Sequence, residues 1–219
     1  MNPGGRTERD DLFSEAKREL KPLVLRVYPA VLTLMLLLIA AGAASDLERW
    51  QLFIDPAEAR GDVLIGVFSN IGVLLWWTTV AVTGLTWLVL RRSDDRSEFS
   101  RMCGCAALLT AFLALDDLFL LHDYVFPELV HIPEGLVLVV ILGSVAAYLW
   151  RFRVVLLSSS NRLVLAAALL LLCASVAADA FSGGPQGHET FEDGFKIAGI
   201  ATWLFYFVSL CLRHVRPSP

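Results

Sequence analysis

Long apolar blocks separated by short charged connections run along the whole chain. At about 1.5 Å of rise per residue, roughly 20 apolar residues match a bilayer core of about 30 Å. Six blocks reach that length: Leu23–Ala44, Val63–Leu90, Met102–Leu121, Gly135–Leu157, Leu163–Phe181 and Phe191–Leu212. The pattern predicts an all-α integral membrane bundle of six transmembrane helices over 23–212, with tails at 1–22 and 213–219. Trp50, Trp87, Trp150, Tyr28 and Tyr124 fall near the span ends, where amphipathic rings prefer to sit. Trp76 and Trp77 fall deeper and are expected to pack inside. The basic leader and the small-residue run 40–45 also fit a cleaved secretory signal. The first apolar stretch exceeds the usual h-region of about 7–15 residues, so a retained helix is expected. Leu12, Phe13, Ala16 and Leu20 share a face of a short candidate helix over 11–20, which reads equally as a helix on the cytoplasmic membrane surface or as a solvated lead-in stopped by Pro22. Residues 182–187, rich in Gly and Pro, read as a turn.

Charge orients these spans. Cytoplasmic loops are enriched in Lys and Arg. Fifteen of the 18 basic residues fall on the side holding both termini, leaving only Arg49, Arg60 and Lys196 on the other. Of the 22 acids, fourteen fall on that other side. Both termini are therefore expected to be cytoplasmic, with the protein in the cell's inner (plasma) membrane and in contact with the lipid bilayer. Composition agrees: 56% hydrophobic and 18% charged residues, in blocks, exclude a soluble globular enzyme, a disordered chain, a collagen and a disulfide scaffold. No nucleotide-binding loop, nucleophile elbow or nucleic-acid surface is visible. Cys103, Cys105, Cys173 and Cys211 all fall in spans or at the basic side, so no disulfide is expected.

The candidate chemistry lies in one layer. Charges inside a bilayer are costly, which makes an intramembrane acid a functional candidate. Asp116 and Asp117 fall about 9 Å inside the third span, measured from His122 at 1.5 Å per residue. Asp116 and Asp123 are seven apart and share a helical face. Lys196 enters the sixth span to a similar depth, about 8 Å. Asp179 closes the fifth span, and Ser69 and Asn70 stand level on the second. Simpler roles compete for several of these groups. Thr190 and Asp193 have capping-box spacing, Lys196 could pair with Glu192 one turn away, and His122 suits a helix C-terminus. His188, His131, Glu128, Glu134 and Glu189 also fit ordinary solvated loops. Asp116 and Asp117 fit no such role; their competing role is a structural ion pair with Lys196.

A functional cluster of this charge would attract a cation. Carboxylates with imidazoles suit Zn²⁺, Mn²⁺ or Fe²⁺, and carboxylates alone suit Ca²⁺ or Mg²⁺. The candidate metal ligands are Asp116, His122, Asp123, Asp179 and Glu189, with Asp117 as general base and Lys196 as a second catalytic group.

The run Leu115-Asp116-Asp117-x4-His122-Asp123 resembles the Leu-Asp-Glu-x4-His-Glu pattern of small uncharacterised prokaryotic multispanning membrane proteins. The acidic opening of the sixth span is similar to theirs, and the resemblance implies no activity. A more distant likeness is to alkaline ceramidase-like membrane hydrolases, which hold zinc through histidines and an acid. This chain lacks their within-helix histidines and is expected to have six spans where they have seven.

Three functions are therefore expected to compete. The first is a metal-dependent hydrolase or transferase acting on a lipid or small-molecule substrate at the outer leaflet. The second is a cation- or proton-coupled transporter, against which Thr83, Thr86, Thr110 and Ser144 offer no continuous polar path. The third is a non-catalytic scaffold stitched by its polar layer.

Overall fold

The computed structural model describes residues 14, 17–44, 52, 66–93, 97–158, 161–181 and 189–215, with backbone alone at 179–181, 189–191 and 215. Eight helices carry the described fold: α1 (Lys17–Ala44), α2 (Val67–Arg92), α3 (Glu98–Phe119), α4 (Leu121–Leu129), α5 (Glu134–Arg151), α6 (Arg153–Ser158), α7 (Arg162–Phe181) and α8 (Glu189–Val215). No strand occurs among the described residues.

Five of these helices, not the expected six, are long and apolar enough to cross a membrane: α1, α2, α3, α5 and α8. The remaining expected span forms α7, whose described apolar stretch, Arg162–Ala178, is shorter than those of the other five.

The boundaries also moved for local reasons. The candidate surface helix does not stop at Pro22: α1 runs through it, widening to a π-helix over Leu23–Val27 just after it. A π turn there accommodates a residue that has no N–H to give. The expected single span 135–157 is divided at Phe152 into α5 and α6. The start of the candidate surface helix, 11–13, and the turn at 182–187 lie outside the described residues.

The core sits between α8, α7, α2 and α3. Helix α8 packs against α7 and α2, and α2 packs along α3. Ile200, Trp203, Tyr206 and Phe207 of α8 are fully buried with Met102 and Ala106 of α3 and Val164 of α7. Gly199 permits the α7–α8 approach, since a Cβ there would meet Leu172 side-chain atoms at 2.9 Å and its backbone nitrogen at 3.1 Å. Polar groups in this core are mostly spent locally. Thr79, Thr83 and Thr86 donate to carbonyls one turn back on α2, and Trp203 Nε1 donates to Thr110 Oγ1 at 3.3 Å. Trp76 packs inside as expected, whereas Trp77 is 39% exposed and faces outward.

Helices α1 and α5 are peripheral and present leucines and valines on their surfaces, as do Leu108, Leu170 and Val154 elsewhere. This apolar exterior is consistent with contact with lipid. All four cysteines are free.

Candidate functional site

Helix α3 stops at Phe119 because Leu120 adopts the left-handed conformation, φ 50° and ψ 48°. For a residue with a Cβ this costs about 1–2 kcal/mol, so the surroundings must hold it. Asp116 supplies the hold. Its carbonyl accepts the Leu120 N–H, and its carboxylate reaches across the break to the first turn of α4. Oδ1 accepts the His122 backbone N–H at 3.1 Å, and Oδ2 lies 2.8 Å from His122 Nδ1. The His122 Nε2 lies 3.1 Å from Asp123 Oδ1.

His122 is thus held between two carboxylates. Ionised carboxylates only accept, and a neutral imidazole donates from one nitrogen only. The arrangement therefore favours either an imidazolium or a proton on one of the acids. Partial burial opposes the charged ring. The hydrogen bond to Asp116 and the charges of Asp116 and Asp123 outweigh that burial and the repulsion from Lys196, lifting the His122 pKa above its usual value. Exposure falls steadily along this chain: the side chains of Asp123, His122 and Asp116 are 45%, 22% and 10% exposed. A proton arriving from solvent would meet them in that order.

Asp117 points the other way round α3 and forms an ion pair through Oδ1 with Lys196 of α8. Asp117 is 7% exposed, and its Oδ2 is buried without a hydrogen-bond partner. Beside it lies Gly72 of α2, where a Cβ would stand 3.6 Å from that oxygen. Three helices thus build the inner half of the site.

The expected common depth of Asp117 and Lys196 is realised as direct contact, so Lys196 reaches beyond its own helix. Asp116 and Asp123 do converge, although not through a shared helical face. The chain breaks between them, and His122 brings them together. Ser69 is buried near this level, but Asn70 is exposed and does not join. Glu128, His131 and Glu134 are exposed, as solvated loop residues would be. Asp179 and Glu189 lie on the ends of α7 and α8, and their side chains, with His188 and Thr190, fall outside the described residues.

Among the described residues, the donor atoms of the cluster engage one another. Both ring nitrogens of His122 and both oxygens of Asp116 are committed to each other or to Asp123, and Asp117 Oδ1 is committed to Lys196. No group of three or more His, Cys, Asp or Glu among the described residues is arranged to hold a metal ion. Two contributors to the site escaped the sequence. Leu120 carries no signal of a left-handed break, being neither Gly nor Asn. Gly72 is a small residue inside an apolar helix, and its meaning depends on what lies opposite.

Fold and site together define a protein that is helical throughout its described elements, with five helices suited to crossing a membrane and a layer of paired acids and bases near one end. The chain belongs to the family described as "Domain of unknown function (DUF8692)", whose model matches residues 25–210. No curated protein and no solved structure matches it.

Proposed function

We propose that the protein is a proton-coupled membrane protein whose entry point is the chain Asp123–His122–Asp116. The observation that carries this reading is the imidazole held at 2.8 and 3.1 Å between two carboxylates of decreasing exposure. Asp117 with Lys196 then forms a charge-compensated pair one residue further along α3. The buried hydroxyls of Thr79, Thr83 and Thr86 lie further along α2, each donating to its own helix, so the reading rests on the entry chain and not on a continuous path. All six apolar helices, α7 included, cross the membrane in this reading. Both termini then lie in the cytoplasm of a cell bounded by the plasma membrane, as the crowding of basic residues at one end supports.

The test is proton entry into vesicles. Vesicles carrying the protein and an internal pH-sensitive dye, given an inside-negative potential, acidify several-fold faster than empty ones. Asp116→Asn and His122→Phe return the rate to that of empty vesicles. Equal rates for wild-type and empty vesicles overturn the reading.

A second reading is favoured by Asp117 Oδ2, a buried acceptor with no partner beside the gap at Gly72. Such an atom could take a proton from a substrate hydroxyl, as a hydrolase or transferase at the outer leaflet requires. Turnover of an ester or amide lipid that is lost in Asp117→Asn, without proton entry, would establish this reading in place of the first.

A further inference from the structure

At the basic end of the bundle, where the start of α1 meets the end of α8 and the start of α7, lies a cavity of about 520 Å³. That is within the range of small-molecule sites, about 300–1,000 Å³. Its lining is chemically divided. Arg18 and Arg213, both exposed, contribute two cations. Phe205 and Leu212 contribute an apolar wall, and Leu212 is 55% exposed at its edge. Glu19 lies in the same lining and is 4% exposed.

Glu19 is the informative residue. Its Oε2 accepts the Leu163 N–H at 3.0 Å, which fixes the carboxylate against the first turn of α7. Its Oε1 is fully buried and has no hydrogen-bond partner. A buried acceptor in that state is costly unless a donor arrives. Asn161, also buried, accepts from Arg213 Nη2 at 3.0 Å and so steadies the guanidinium at the cavity. A fitting occupant must bring an anion for the arginines, an N–H donor for Glu19 and a chain for the apolar wall.

We propose that this cavity binds a phosphoethanolamine group, presented by phosphatidylethanolamine of the adjoining leaflet. Its phosphate faces Arg18 and Arg213, its ammonium donates to Glu19 Oε1, and its acyl chains leave past Phe205 and Leu212. The choline headgroup carries the same two charges but no N–H, so it satisfies the arginines and leaves Glu19 unmet.

Native mass spectrometry of the delipidated full chain, titrated with phosphatidylethanolamine or phosphatidylcholine, tests this. The wild type retains phosphatidylethanolamine at least about fivefold more tightly, the ratio expected from roughly 1 kcal/mol for one such contact. Glu19→Gln keeps an acceptor for Leu163 and removes that preference. Arg18→Ala and Arg213→Ala leave the Glu19 contact to α7 in place and weaken both lipids about fivefold each. Equal retention of the two lipids by the wild type overturns the proposal, as does undiminished binding in both arginine variants. Free phosphoethanolamine separates the sources. Displacement of the lipid at millimolar concentration supports the same headgroup chemistry from a soluble ligand, and lack of displacement supports the membrane lipid.

Discussion

Asp116 and Glu19, at opposite ends of the bundle, each accept a backbone N–H from the first turn of a following helix, His122 of α4 and Leu163 of α7. Both are more than nine-tenths buried. They differ in the second oxygen. In Asp116 it is met by the His122 ring at 2.8 Å, while in Glu19 it meets nothing. The first carboxylate is thus a closed unit that orients an imidazole and can share a proton with it. The second is half satisfied and belongs to a residue lining a cavity, the condition of a group that can take a donor from outside. Asp117 combines the two, with one oxygen paired to Lys196 and the other unpartnered beside Gly72.

The largest effect that would break this contrast is expected from Lys196→Met. It leaves Asp117 buried and uncompensated and lowers stability by about 3 kcal/mol, read from unfolding in detergent. Asp117→Asn combined with Lys196→Met recovers most of that loss, because the pair leaves together. Asp116→Ala should follow at about 2 kcal/mol, since it removes both a helix-capping contact and the ring contact. Glu19→Ala, with one contact to lose, should cost only about 1 kcal/mol. Equal losses at the two sites would erase the distinction between closed and open carboxylates.

The pH profile sharpens the comparison further. The folded-state pKa of His122 is raised. Its stabilising contribution is therefore fully present below the unfolded value of about 6.5 and is lost as pH rises through the higher folded value. Thermal unfolding should show slightly greater stability at pH 6 than at pH 9 from this group, by at most about 1 kcal/mol. Asp116→Asn should flatten that component. The smallest effect is expected for Gly72→Ala, within about 0.5 kcal/mol, because the added methyl would make ordinary contacts at 3.4 Å with Ile200 and 3.6 Å with Asp117. It should nevertheless slow proton entry by filling the space beside Asp117 Oδ2, which the vesicle assay would detect.

The same two carboxylates show how much could be read in advance. Asp116 and His122 are six residues apart, and their relation was visible as a short acidic motif even though the break at Leu120 was not. Glu19 and Leu163 are 144 residues apart. In the sequence Glu19 is one acid among the charges of a leader, with nothing to mark it as buried. Lys196 illustrates the middle case. Depth from the helical rise put it level with Asp117, whereas their direct contact needed the placement of α8 in the bundle.

What the chain determined by itself is the set of apolar helices and the uneven share of bases between the connections on alternate sides of them, because both are read residue by residue from side chains that prefer water or an apolar phase. Tertiary structure decided which charges meet and which carboxylate oxygens stay open. Those outcomes depend on how helices rotate and break against one another, and packing settles that between residues far apart in the chain.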